Sequence, residues 1–333
     1  MQIDIKTDSV EPIRQTFAHV ARRLGVDKPA SRYQEATLDV QSEINFHYRP
    51  LWDPDREIFD RNRTAVKMDD WYAFRDPRQY YYGAWTITRS RQQDSMERNF
   101  AFVEKRQLFD TLEPAWRQRV ADVLLPLRHL EYGANLNNTY ITAYGWGTAI
   151  TQATSFAAMD RLGIAQYLSR IGLIMDGNTG ESLDTAKQAW MQAEQWQPLR
   201  RLVEDLLVVD DWFELYVAQN FALDGLLFPL VYERFDAELA QHGGSAMAML
   251  TEFMVDWSAE HTRCVDAFLK TAAEESPQNK ALLSSWTHKW SARCADALLP
   301  LAKVAVGDTA VTVIAELQDA LQKRGQKKAG LDI

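Results

Sequence analysis

The chain has 333 residues, enough to bury a large hydrophobic core as one helical domain or two smaller ones. It contains 11 Trp, 12 Tyr and 14 Phe but only 15 Gly and 11 Pro, a composition that favours long helices joined by few turns. The formal net charge of −9 and the lack of a dense Lys/Arg block argue against a nucleic-acid partner. No apolar signal segment is evident, and the longest uninterrupted apolar run, 226–232, is too short to span a bilayer. The sequence therefore predicts a cytoplasmic protein that does not span a membrane.

Residues 1–90 are predicted to form a short helix followed by an irregular arm. The helix covers Glu11–Leu24 and has a proline in its first turn. From Pro29 to about Arg89 the helical periodicity fades while aromatic residues accumulate. Such a segment is too apolar to be disordered and too irregular to bury itself on one element.

Two interpretations of this arm stay open: a cover packed over its own domain, or a segment packed on another subunit. Large aromatic side chains are typical anchors of protein interfaces, so we expect the arm to contribute to subunit assembly. The residues expected at that interface are Trp52, Trp71, Phe74, Arg75, Asp76, Pro77 and Arg78.

Helical periodicity dominates residues 91–333, which we predict to form one structural unit. The segment 212–240 is apolar on nearly every face, which is typical of a helix at the centre of a large bundle. Pro229 cannot donate a hydrogen bond to the carbonyl of Gly225, so a kink is expected there. No strand pattern and no fixed-period repeat is evident. The predicted helices are Arg89–Leu112, Pro114–Leu125, Val120–Ile150, Ser155–Ile174, Ser182–Val209, Trp212–Ala240, Met247–Thr271, Asn279–Val304 and Asp308–Lys323.

The helix predicted over Val120–Ile150 carries His129 and Glu131 among its inward positions. In ferritin-like di-iron bundles a core helix bears Glu-x-x-His, because residues i and i+3 share one face. The residue three before His129 is Pro126, which offers no ligand atom. None of the other five histidines has a carboxylate at that spacing either, so we predict no metal site of its own. The further inward positions predicted on this helix are Leu124, Leu127, Arg128, Leu136 and Tyr140.

Other catalytic motifs are absent as well. The sequence has no H-E-x-x-H, no G-x-G-x-x-G and no G-x-S-x-G. Cys264 and Cys294 lie thirty residues apart, a spacing unsuited to a paired zinc site, and are predicted to be small core residues. We therefore predict no catalytic residue in this chain. We also predict that the polar residues interrupting the apolar segment 212–240 have hydrogen-bond partners. Those polar residues are Gln219, Asn220 and Asp224.

Three stretches stand out in combination: Trp71–Gln79 (WYAFRDPRQ), Trp196–Arg200 (WQPLR) followed by Asp211-Trp212, and Arg128–Tyr132 (RHLEY). They resemble the β subunit of bacterial multicomponent monooxygenase hydroxylases. The phenol hydroxylase branch is most similar, with the toluene monooxygenases next. The resemblance spans roughly residues 30 to 265.

The resemblance implies an all-α, ferritin-like (ribonucleotide-reductase-like) bundle paired with a homologous catalytic α subunit that holds a di-iron centre. It also implies a small γ subunit, a second αβγ protomer, a regulatory protein, and a reductase that passes electrons from NADH through FAD and a [2Fe–2S] cluster. Phenol-type substrates would be converted to catechols. Two alternatives stay open: a catalytic di-iron oxidase or reductase-like subunit, and a helical scaffold or regulator outside this family.

The resemblance implies which positions of this chain correspond to the metal ligands of the catalytic α subunit. At these positions the chain would have lost a metal site. Glu260 and Arg263 would then stand at one ligand pair, unless they simply form an i,i+3 ion pair. The degenerate positions are Glu97, Pro126, His129, Glu260 and Arg263.

Overall fold

The computed structural model describes residues 16–26, 28–43, 49–51 and 53–333. Over these ranges the chain is all-α, as predicted, and contains no strand. The α-helices are α1 (Ala18–Leu24), α2 (Arg32–Thr37), α3 (Tyr82–Lys105), α4 (Pro114–Val123), α5 (Leu127–Tyr144), α6 (Thr148–Met175), α7 (Glu181–Gln192), α8 (Gln197–Leu206), α9 (Trp212–Tyr216), α10 (Asp224–Pro229), α11 (Asp236–Gln241), α12 (Ser245–Glu275), α13 (Pro277–Val306) and α14 (Ala310–Arg324). Short 3₁₀ turns cover Trp71–Ala73, Leu108–Thr111, Glu194–Trp196 and Gly307–Thr309, and π-helical segments cover Val217–Leu223, Leu230–Phe235 and Gly325–Ala329.

The segments α9, α10 and α11 and the two π-helical segments between them follow one another without a break, and we call the whole run, 212–241, the central helix. Its apolar side chains are almost all buried, which confirms the position predicted from its composition. The irregularity expected at Gly225 and Pro229 takes the form of the π segments, since both residues lie in α10 between them. A π segment widens the backbone hydrogen-bond pattern from i,i+4 to i,i+5 and is often found at functional sites.

The predicted helix Val120–Ile150 spans three helices: the end of α4, all of α5 and the start of α6. α4 ends at Val123, and Pro126 is the N-cap residue of α5. Proline lacks the backbone N–H that would continue the α4 hydrogen-bond ladder, and a proline is well tolerated in the first turn of a new helix. Pro126 therefore favours a helix boundary at this point.

Helices α5 and α6 form an antiparallel hairpin. The side-chain amide of Asn135 donates to the carbonyl of Ala158 at 2.7 Å, and the hydroxyls of Thr142 and Thr154 are 2.9 Å apart. The turn between them needs glycine at position 147, where φ is +90° and a Cβ atom would lie 3.1 Å from the carbonyl oxygen of Trp71. The turn between α5 and α6 therefore lies directly against Trp71 of the arm.

The aromatic arm packs on its own bundle. The Trp71 ring lies 5.7 Å from the Trp212 ring, and the Phe74 ring meets Phe268 edge-on at 5.8 Å between centroids. Asn279, at the start of α13, makes two hydrogen bonds to the arm. Its side-chain oxygen accepts from the backbone N–H of Lys67 at 3.1 Å, and its side-chain nitrogen donates to the backbone carbonyl of Lys67 at 2.7 Å. Of the two interpretations of the arm, the structure therefore favours a cover.

The interface expected in the arm stays a prediction, and this packing limits the surface that part of it offers to a partner. Trp71, Phe74 and Asp76 are buried within the chain and pack on its own bundle. Arg78 is also engaged, with its guanidinium 2.8 Å from the Asp76 carboxylate. Arg75 and Pro77 are exposed, and their role at an interface stays a prediction. Trp52 lies outside the described residues.

One helical stretch in the described part, Pro277–Ala329, is long and apolar enough to cross a membrane by length and composition alone. Half of its most apolar window is buried inside the protein, and α13 packs directly on the central helix. Core helices pass the same test of length and composition. We therefore read α13 as a core helix of the bundle.

Candidate functional site

A buried arginine stands at the centre of the bundle. Arg161, on α6, is completely buried, and its Nη1 donates to the carboxylate of Glu131 on α5 at 3.0 Å. Its Nη2 donates to the carboxylate of Asp224 on the central helix. The guanidinium thus bridges two acidic side chains from two different helices. We call Glu131, Arg161 and Asp224 the core ion cluster.

Helix α12 supplies an aromatic wall for this cluster. The guanidinium carbon of Arg161 lies 4.4 Å from the ring centroid of Trp257, a distance suited to a cation–π contact. His261, also on α12, stacks on Trp257 with 4.5 Å between the ring centroids. Its Nε2 lies 3.1 Å from the side-chain oxygen of Asn220 on the central helix. Four helices therefore point residues at one place: α5, α6, the central helix and α12.

The amides of the central helix complete the cluster. Gln219 donates to the Asp224 carboxylate at 3.0 Å and accepts from the Asn137 amide at 2.9 Å. Gln219 and Asp224 thus have the hydrogen-bond partners that were predicted, whereas Asn220 is bonded through its side-chain oxygen alone and its buried Nδ2 has no partner among the described residues. Burying such groups without partners would cost about 1–3 kcal/mol each.

The charge balance of the core ion cluster favours one extra proton. Two buried carboxylates face one guanidinium, and burial raises the pKa of Glu131 to about 7, with the neighbouring Asp224 adding to the shift against the opposing effect of Arg161. Burial also raises the pKa of Asp224, and burial lowers the pKa of His261 well below its usual range, so His261 is neutral. The cluster is a structural ion network whose protonation changes near neutral pH.

This balance gives a pH prediction. Because the folded protein binds the Glu131 proton more tightly than the unfolded chain, this group stabilises the fold at low pH and loses that contribution as pH rises through about 7. Glu131→Gln mimics the protonated acid and does not titrate. We therefore subtract the free energy of unfolding of this variant from that of the natural chain. This difference should fall by on the order of 2 kcal/mol between pH 5 and 8. Urea titrations at several pH values measure this difference. A difference that stays flat or rises with pH would contradict the assignment.

A second polar network joins the core ion cluster to the arm. The Asp160 carboxylate accepts from the indole N–H groups of Trp257 at 2.9 Å and Trp85 at 3.0 Å, and from Arg89 at 2.7 Å. Arg89 also pairs with Glu260, which accepts from the Tyr80 hydroxyl at 3.0 Å. The network ties α3, α6 and α12 together beside the cluster. Glu260 therefore pairs with α3, and not with Arg263 within α12 as the spacing had suggested.

The five degenerate positions carried over from the resemblance have different surroundings. Glu97 is exposed and pairs with Arg170 at 2.7 Å, and Pro126 caps α5. His129 stacks near Trp190 on α7 at 6.0 Å, and burial lowers the pKa of His129 to about 4. Glu260 belongs to the network with Arg89, while Arg263 is exposed on α12. The structure does not bring these residues into one cluster.

The residues at the bundle centre were only partly visible in the sequence. Glu131 and Asp224 had been singled out, one as an inward position and the other as an interruption of an apolar helix. Arg161 had not, although an Asp160-Arg161 pair inside the apolar helix α6 is a detectable signal. A charged pair in such a helix needs buried partners, because long charged side chains are almost never fully buried unpaired.

These residues do not fit a di-iron centre. Such a centre takes a carboxylate from each of two helices and a Glu-x-x-His pair from each of the other two. Here Glu131 and Asp224 are the two carboxylates, α6 offers a guanidinium, and α12 offers Trp257 with a hydrogen-bonded histidine. A fixed positive charge between the carboxylates opposes a metal cation. In the part of the chain that the structure describes, no group of three or more His, Cys, Asp and Glu side chains is arranged to hold a metal.

Long helices that converge on one polar centre define the class of this protein as a ferritin-like bundle. The chain belongs to the methane/phenol/alkene hydroxylase family, whose model matches residues 52–276. It is 51% identical over 327 residues to the oxygenase component of phenol 2-monooxygenase from Pseudomonas sp. strain CF600, covering 98% of each chain. It is 24% identical over 292 residues to the hydroxylase component subunit beta of the toluene-4-monooxygenase system from Ectopseudomonas mendocina, covering 85% of this chain and 84% of that one.

Solved structures agree with these relatives. A chain of phenol hydroxylase from Pseudomonas sp. OX1 matches with a TM-score of 0.91 and 48% identity over 98% of both chains. A chain of toluene 4-monooxygenase matches with a TM-score of 0.73 and 20% identity over 93% of this chain and 100% of that one, a likeness of fold alone. The predicted ferritin-like fold and the resemblance to the phenol hydroxylase branch are confirmed.

Proposed function

We propose that the chain is the non-catalytic β subunit of the hydroxylase component of an NADH-dependent monooxygenase that converts phenol-type substrates to catechols. The proposal is supported by 51% identity, along nearly the full length, to an oxygenase component of phenol 2-monooxygenase. In this role the chain scaffolds an assembly whose di-iron chemistry takes place in a partner subunit.

One observation carries the non-catalytic part of the proposal. Arg161 stands between the carboxylates of Glu131 and Asp224 and uses two of its nitrogens to bind them. A permanently charged guanidinium there supplies the positive charge that a metal would supply in a catalytic bundle. The chain keeps a stable, charged core without a cofactor and is left with a structural role.

The partners in this proposal are the catalytic α subunit, a small γ subunit and a second αβγ protomer. A regulatory protein and a reductase that carries FAD and a [2Fe–2S] cluster complete the system. The protein acts in the cytoplasm, with no nucleic-acid partner and no membrane insertion.

Iron analysis of the chain expressed alone, and with its α and γ partners, tests the proposal. We expect the isolated chain to be colourless, to hold no stoichiometric iron and to hydroxylate no phenol. The co-purified complex should hold about two irons per α subunit and turn over phenol with the reductase and NADH. About two irons per isolated chain, or phenol hydroxylation without α, would instead favour the catalytic di-iron alternative.

A further inference from the structure

A groove opens onto the central helix between α12 and α14. Each of the three helices contributes a small residue to it, and the space between them stays open because these side chains reach so little. The volume of about 290 Å³ lies at the lower end of the range for small-molecule sites, so the groove suits a single-ring molecule and not a large cofactor. We call it the lateral groove, and define it by Gly225, Phe228, Tyr232, Ala259, Ala320 and Arg324.

The deepest part of the lateral groove is aromatic. Phe228 and Tyr232 are both buried and lie one helical turn apart on the central helix, with 5.2 Å between their ring centroids. Phe228 also contacts the core ion cluster, because the guanidinium carbon of Arg161 lies 5.3 Å from its ring centroid. Aromatic side chains attract a further ring in offset or edge-on contact. The groove therefore offers a surface for one more aromatic ring, next to the core ion cluster.

Two hydrogen-bond donors of the lateral groove have no partner among the described residues. They are the hydroxyl of Tyr232 and the Nη2 of Arg324. Arg324 reaches across from α14: its Nε donates to the Asp266 carboxylate at 2.8 Å, and its Nη1 would lie 3.3 Å from a Cβ atom at position 225. Buried polar groups nearly always have a partner. Two such donors at one groove indicate that it takes a molecule with an acceptor oxygen.

The charges at the lateral groove favour a neutral molecule. The charged residues that line it are Asp224, Glu233 and Arg324. Asp224 already pairs with Arg161, and Arg324 already pairs with Asp266. An anionic ligand would add a further negative charge beside these carboxylates, whereas a neutral hydroxyl group can accept from Arg324 without that repulsion.

We infer that the lateral groove is a binding site for a monocyclic phenol. The ring packs on Phe228 and Tyr232, and the hydroxyl oxygen accepts a hydrogen bond from the Arg324 guanidinium. The inference does not depend on the proposed function, because the residues that form the groove all belong to this chain. The chain binds the phenol there without converting it.

Titration of the full-length chain with three single-ring molecules tests the inference. Phenol, followed by ligand-observed NMR, should bind with a dissociation constant on the order of 1 mM, a value within reach of so small a ligand. Toluene lacks the hydroxyl group and benzoate carries a negative charge, so each should bind at least fivefold more weakly than phenol. Equal affinity for the three molecules, or no saturable binding of phenol, would overturn the inference.

Two pairs of variants assign the binding to the lateral groove. Ala259→Phe fills the groove, and Ala237→Phe, at an exposed position of α11, is its matched control. Arg324→Met removes the donor, and Arg234→Met, at an exposed arginine that pairs with Glu316 at 3.0 Å, is the control for it. We expect at least tenfold weaker phenol binding for Ala259→Phe, loss of the preference for phenol over toluene for Arg324→Met, and natural affinity for both controls. Natural affinity in Ala259→Phe, with its fold verified by circular dichroism, would show that the groove is not the site.

Bromine anomalous diffraction gives a measurement on the unaltered chain, which does not depend on how a variant folds. Crystals of the full-length chain are soaked with 4-bromophenol at a concentration near its dissociation constant in solution. We expect a bromine peak in the lateral groove, with the ring against Phe228 and the hydroxyl oxygen within hydrogen-bond distance of Arg324. Bromine peaks only at other places would overturn the inference, and so would binding at crystal concentration only, with no saturable binding in solution.

Discussion

Replacing Arg161 by Met is expected to lower the free energy of unfolding of the full-length chain by about 3–5 kcal/mol, the usual cost of removing one partner of a buried ion pair. The guanidinium is completely buried and is the cation that Glu131 and Asp224 share. Without it, two carboxylates are left facing each other in a medium that solvates them poorly. Urea unfolding at pH 7, followed by circular dichroism, measures the loss.

Two further variants separate the ion cluster from a simple packing effect. Arg170→Met removes a partly exposed guanidinium that pairs with Glu97 at 2.7 Å, and should cost less than about 1 kcal/mol. Combining Arg161→Met with Glu131→Leu and Asp224→Leu removes all three charges together and should recover most of the lost stability, since apolar residues can replace a buried ion cluster. If Arg161→Met costs no more than Arg170→Met, the cluster does not stabilise the core.

Phe74→Ala is expected to destabilise the isolated chain by about 3–5 kcal/mol, with no partner present. The Phe74 ring is buried between the rings of Phe213 and Phe268, so its removal leaves a cavity in the chain's own core. Tyr82→Ala, at an exposed aromatic position, is the control and should change stability by less than about 0.5 kcal/mol. Thermal and urea unfolding of the full-length variants measure both effects.

The same variant distinguishes the two interpretations of the arm. An arm that served only for assembly would lose affinity for α on Phe74→Ala while the isolated chain kept its stability. That result would contradict the packing of Phe74 described above. Loss of stability in the isolated chain supports an arm that covers its own bundle.

The features that depend on local sequence were predictable. Composition and helical periodicity predict an all-α chain, and the all-round apolar character of 212–240 predicts the centre of the bundle. The predicted helix Pro114–Leu125 ends beside Pro126, two residues beyond the observed end of α4 at Val123, while the overlapping prediction Val120–Ile150 misses this boundary. Helix boundaries are weakly encoded, because end residues depend on what caps them.

Features that depend on tertiary partners were not predictable. A periodic pattern places Leu136 with the inward residues, but its side chain is exposed in the structure. Periodicity marks an apolar stripe without saying whether its own core or another chain covers it. The arm likewise shows many aromatic residues but not which surface they meet, and only the structure pairs Trp71 with Trp212. The core ion cluster joins residues 131, 161 and 224, and no local motif links three charges so far apart in sequence.

Anomalous diffraction at the iron absorption edge, from crystals of the assembled hydroxylase, tests most directly whether this chain has exchanged a metal for an arginine. We expect iron peaks in the α subunit and none among Glu131, Arg161 and Asp224 of this chain. An iron peak within bonding distance of the Glu131 or Asp224 carboxylate, with Arg161 displaced, would contradict the structural role given to the core ion cluster.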